Sequence, residues 1–196
     1  MKYLCPLVMI LTLGGIAPAA LAFEAEFKAA PPRTIAIGEI TVGDALAAKV
    51  EEYGDREVAN LVEALRGDLE RELGRIGRLA DEGAADAVLS VVIEDAMPNR
   101  PTPQQQMGAN RPVDPRSSKE TRGPRPLDPR SVFLGGARVS ATLVAADGSA
   151  VGRFEDSWQT RPDISRSEYA VTWTDARRTF DRFASGFAKA VVAEGG

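Results

Sequence analysis

An α/β two-layer sandwich is predicted, with about four strands in the order β-α-β-long loop-β-β-α and two helices on one face. Three observations carry it. Residues 133–158 alternate apolar and polar side chains about Asp147-Gly148, the pattern of a β-hairpin with a tight turn. Two other segments repeat apolar residues every three or four positions, as amphipathic helices do. The hairpin's second face is polar, so its sheet is expected to be covered on one side only.

The amino terminus comes first. Lys2 precedes an apolar run over residues 4–16, and residues 17–22 put small residues, Ala22 and Ala20, at the −1 and −3 positions of a cut before Phe23. This is the pattern of a secretory signal peptide cut after Ala22. The run is shorter than the ~20 residues a spanning helix needs, so no transmembrane segment is expected after cleavage. Residues 1–22 are therefore read as signal peptide and 23–196 as a single domain, periplasmic or, alternatively, secreted. Cys5 is the only cysteine and lies within the segment to be removed, so neither disulfide nor lipid anchor is expected.

Residues 23–33 read as a charged, Pro-containing lead-in without regular structure. Residues 34–42, TIAIGEITV, are rich in β-branched side chains and read as the first strand. Residues 43–54 fit either a helical turn or two, or a plain crossover. Asp55 is the candidate N-cap of the first long helix. Its apolar stripe is Val58, Leu61, Val62, Leu65, Leu69, Leu73 and Ile76. Residues 86–96 form the second strand, with Ala87, Leu89, Val91 and Ile93 on one face and Val88, Ser90, Val92 and Glu94 on the other.

Composition then changes. Residues 97–131 hold eight of the thirteen prolines and seven basic against three acidic side chains, a net +4. The basic ones are Arg100, Arg111, Arg116, Lys119, Arg122, Arg125 and Arg130. So few apolar side chains cannot offset the ordering entropy, and the segment is expected to stay disordered. In the hairpin beyond it, a two-residue type I′ turn sets Ala145 opposite Ala150, Leu143 opposite Gly152, Ala141 opposite Phe154, Ala137 opposite Trp158 and Val139 opposite Asp156. Asp156 is the discordant member of an apolar face and is expected at a sheet margin, bonded to a loop or cap. The last helix spans about residues 174–193, with Thr174 as candidate N-cap. Trp173, Ala176, Phe180, Phe183, Phe187 and Val191 form its stripe, while Arg177, Arg178, Asp181, Arg182 and Lys189 stay outside.

Residues 132–158 and 172–191 resemble a family of bacterial envelope proteins of unknown function, many of them lipoproteins. The matching positions are Gly135, Gly136, Ala137, Val139, Leu143, Val144, Asp147, Gly148, Trp173 and Phe180. The chain departs from that family in lacking a lipobox cysteine and in carrying a Pro/Arg segment before the hairpin. More distantly, the element order is similar to the fold of the TolB amino-terminal domain. The resemblance implies an accessory protein that binds other proteins and is not an enzyme.

Composition narrows the chemistry independently. Histidine is absent, which removes Ser-His-Asp triads, Cys-His pairs and the usual zinc sites, and no nucleotide or nucleophile fingerprint is present. The net charge of −4 points to neither nucleic acid nor membrane as partner. No catalytic residue, metal or cofactor is assigned. The seven basic residues of 97–131 are the candidate binding residues, facing an envelope protein or an anionic envelope polymer such as lipopolysaccharide or cell wall. The alternative is a small-ligand-binding or carboxylate-based hydrolytic protein using Glu94 and Glu155 on the open sheet face.

Overall fold

Runs rich in β-branched residues over 35–42 and 87–97, together with the alternating hairpin, build one mixed sheet in the computed structural model. The structure describes residues 23–109, 134–159 and 171–195. Its elements are β1 (Glu24–Phe27), β2 (Ile35–Val42), α1 (Asp44–Ala47), α2 (Val50–Tyr53), α3 (Asp55–Arg75), β3 (Ala87–Met97), α4 (Pro103–Ala109), β4 (Gly136–Ala145), β5 (Ala150–Gln159) and α5 (Thr174–Glu194). The sheet order is β1-β5-β4-β3-β2, with β2 parallel to β3 and every other pair antiparallel. The fold is α/β, as predicted.

The two long helices pack side by side, α3 along β2 and α5 across β4 and β5. Val58, Leu61, Leu65, Leu69 and Leu73 of α3 meet Phe180, Phe183, Phe187 and Val191 of α5 above Leu89, Ile93, Val139, Leu143 and Phe154 of the sheet. Burying such stripes between two layers is the main stabilising term, at roughly 25 cal/mol per Å² of apolar surface. The opposite sheet face exposes Ser90, Arg138, Thr142, Arg153 and Glu155.

Four expectations are corrected. The lead-in forms a fifth strand: Phe23 and Phe27 point to the core side and pack on Phe154, with ring centroids 6.4 and 5.2 Å away. Apolar residues at alternate positions, F-x-A-x-F over 23–27, were the signal for it. Gly54, with φ 98°, rather than Asp55, occupies the N-cap position of α3, and Asp55 becomes its first residue. Residues 97–131 are not wholly without structure, since β3 extends to Met97 and α4 follows.

The hairpin register matches the expected pairs from Leu143–Gly152 to Ala137–Trp158, but its turn differs. Only Gly148 takes positive φ (86°), so the turn is not type I′. The Gly148 N–H donates to the Ala145 carbonyl (2.9 Å) and the Ala145 N–H to Ser149 (2.8 Å). This is a type I turn closed by a left-handed glycine, with a bulge that sets Val144 opposite Ala150. Asp147 favours it by accepting from the Ser149 N–H (2.9 Å) and hydroxyl (2.6 Å). Those bonds hold its carboxyl below the usual range.

Candidate functional site

The Pro/Arg-rich segment connects β3 to β4, which are antiparallel neighbours, so both of its roots lie at one end of the sheet. Met97 at the close of β3 pairs with Gly136 at the start of β4. The first turn of α5 lies at the same end, and it fastens these roots.

Asn99 is the fastener. Its N–H donates to the Thr172 carbonyl (2.7 Å), its side-chain oxygen accepts the Asp175 N–H (2.9 Å), and its amide donates to the Asp175 carboxylate. Asn99 and Asp175 are each 3% exposed, so this exchange satisfies polar groups that water does not reach. Asp175 also pairs with Arg178 at 3.1 Å, and its place in the first turn suits the helix dipole. Gly135, at the second root, has no room for a side chain, because a Cβ there would lie 2.4 Å from the Asn99 amide. One asparagine thus touches the helix and both roots.

Beyond Asn99, a capping box starts α4. The Thr102 N–H donates to the Gln105 side chain (2.8 Å), and the Gln105 N–H donates to the Thr102 hydroxyl (3.2 Å), with Pro103 at the first helical position. Gln105 also donates to Glu52 of α2 at 2.6 Å. The motif T-P-Q-Q was legible in the sequence, but proline content outweighed it.

Aromatic packing completes this end. The Trp173 indole donates to Glu57 of α3 (2.7 Å), and Tyr53 meets the ring edge-on at 5.5 Å. Burial, reinforced by the charges of Glu52 and Asp95, pushes the Tyr53 phenol up to about 12. At the same end of the sheet, Asp95, Met97, Gly136, Arg138, Ser157 and Trp158 are among the residues lining a shallow depression of about 300 Å³. Lys49 pairs with Asp95 at its rim (2.6 Å).

Among the basic residues expected to bind, Arg100 is half-buried at the first root beside Asn99. Arg111, Arg116, Lys119, Arg122, Arg125 and Arg130 lie outside the described residues. Glu94 and Glu155 both reach the open face, flanking Ser140. The Ser140 hydroxyl donates to Glu94 at 2.5 Å, and Arg153 pairs with Glu155 at 2.7 Å.

Asp156 corrects the expected loop or cap. It lies on the core side of the sheet, 2% exposed, and Arg182 of α5 forks onto both its oxygens at 2.9 and 2.5 Å. Arg182 therefore does not stay outside: it also donates to the Ser157 carbonyl (3.0 Å) and lies 5.9 Å from the Trp158 ring centroid. Among the described residues, no group of three His, Cys, Asp or Glu side chains could hold a metal ion. Among them too, no helix is long and apolar enough to cross a membrane.

No family model and no curated protein matches the chain. It is similar to a solved structure of the PelC dodecamer from Paraburkholderia phytofirmans, with TM-score 0.42 and 14% identity over 84% of this chain and 96% of that one. A point variant of the same dodecamer superposes with TM-score 0.40 and 15% identity, over 84% of this chain and 95% of that one.

Proposed function

We propose that this chain is an exported, non-enzymatic accessory protein of the bacterial envelope, periplasmic or secreted, that binds an envelope protein or an anionic envelope polymer. The observation that carries it is the pair of anchored roots: Asn99 and Gly135 hold both ends of the cationic segment against one helix terminus. A segment with fixed roots loses less freedom on binding than a free tail of equal length, and its charge attracts anionic surfaces. The resemblance to envelope proteins of unknown function, the more distant likeness to the TolB amino-terminal domain and the signal-like residues 1–22 support the same reading. The engagement of Glu94 by Ser140 and of Glu155 by Arg153 supports binding over carboxylate-based hydrolysis.

The experiment is co-sedimentation with purified lipopolysaccharide and with cell-wall sacculi, alongside pull-down from periplasmic extract. The intact chain is compared with one carrying a Gly/Ser linker in place of residues 110–131, which leaves both roots in place. Binding is expected to fall several-fold on replacement, and for a polymer to weaken with added salt. Equal recovery by the two chains would overturn the proposal.

A further inference from the structure

We propose that residues 23–27 are an exchangeable strand, and that β1 of one molecule can occupy the β5 edge of a second copy of this chain. The proposal is independent of the envelope reading above.

The seat of β1 is shaped to receive it. Phe23 meets Phe183 edge-on at 5.8 Å and sits over Gly186 of α5, where a Cβ would lie 2.7 Å from the ring. Gly152 of β5 likewise admits the β1 backbone, since a Cβ there would lie 2.9 Å from the Glu26 carbonyl oxygen. Phe27 completes the contact against Phe154 at 5.2 Å. Two rings fill a socket opened by two glycines, and four residues pair with β5. Nothing in this seat requires that strand and socket belong to one molecule.

The hinge favours exchange. Phe27 and Ile35 lie at the same end of the sheet but on opposite edge strands, four strand spacings apart. That separation is roughly 19 Å at ~4.8 Å per strand. Only eight residue steps span it, an extended reach of roughly 26–29 Å. Pro31 and Pro32 stiffen the crossing, and Arg78 ties it down by donating to the Pro32 carbonyl at 2.6 Å. A short, stiff hinge gains freedom when it opens and delivers its strand to a neighbour. The occupant is a second copy because its β1 carries the same rings at the same spacing.

The test uses residues 23–196, which hold every described element and lack Cys5. Glu26 and Arg153 face each other across β1 and β5, and both are exposed. A Glu26→Cys chain and an isotope-labelled Arg153→Cys chain are unfolded, mixed, refolded and oxidised. The expected product has twice the chain mass, with a disulfide joining position 26 of one copy to position 153 of the other. Light scattering across a concentration series of the unsubstituted chain reads the dimer fraction directly. Inserting Gly-Ser residues after Ala30 is expected to lower that fraction, and deleting two hinge residues to raise it. A chain that stays monomeric at all concentrations, a dimer without the 26–153 crosslink, or a dimer fraction indifferent to hinge length would each overturn the proposal.

Discussion

Two buried aspartates, Asp156 and Asp175, are both held by α5 or at its start, yet they are solved differently. Asp156 lies between sheet and helix and meets a full opposite charge, with Arg182 forked onto both oxygens. Asp175 lies at the helix terminus, where an amide from Asn99, the helix dipole and the Arg178 guanidinium share the work. The first arrangement fastens one layer to the other. The second fastens the roots of a long connection to the frame. The difference teaches that a carboxylate inside the sandwich needs a dedicated cation, whereas one at a helix start can spare its hydrogen bonds for positioning a loop.

Breaking the first pair should cost most. Arg182→Ala leaves the Asp156 carboxylate buried and unpaired, and denaturant melts are expected to show a loss of about 3–5 kcal/mol. Replacing both residues with leucine should recover much of that, since a buried ion pair is weak evidence for net stability. A single-variant loss below about 1 kcal/mol would mean that Asp156 reaches water.

Tyr53 sharpens the comparison at the second site, because it packs on Trp173 beside Asp175. Its folded value of about 12 exceeds the unfolded value near 10, so the neutral phenol is favoured by folding. That contribution is intact below pH ~10 and is lost as pH rises towards ~12, by at most about 3 kcal/mol. Alkaline melts of Tyr53→Phe should lack this fall, and ultraviolet titration should show one phenol ionising late.

Asn99→Ala should cost about 1–3 kcal/mol in the same melts, the usual penalty for unsatisfied buried groups. Its distinctive sign is faster amide exchange over residues 98–109 with the exchange of β4 and β5 unchanged. Gly135→Ala should cost a comparable amount, about 1–3 kcal/mol, because the bonded Asn99 amide must move to admit the methyl group. Finally, the proposed export predicts that amino-terminal sequencing of the protein recovered from the periplasm or the medium reads from Phe23.

Much of this was legible in the residues. The stripe from Val58 to Leu73 and the aromatic stripe of α5 set both helices, because a 3.6-residue period leaves one face to bury. The hairpin's period of two gave its register from Leu143 outward, and Asp156 stood out as the one charge on an apolar face. The partner of Asp156 was not legible. Arg182 is 26 residues away on a helix face that reads as solvent, and only layer packing brings the two together. The short strand β1 was missed because a strand of four residues gains little from propensity and much from its neighbour.

The sequence alone therefore determined the two long helices, the strands at 35–42 and 87–97, the hairpin, the α/β class and the absence of histidine chemistry, since periodicity and composition are properties of the chain. Tertiary structure alone decided that a fifth strand closes the β5 edge. It also decided that Arg182 neutralises Asp156 and that Asn99 clamps both roots of the cationic segment. Each depends on residues far apart in sequence that meet only when helix and sheet pack, and no local pattern encodes that meeting.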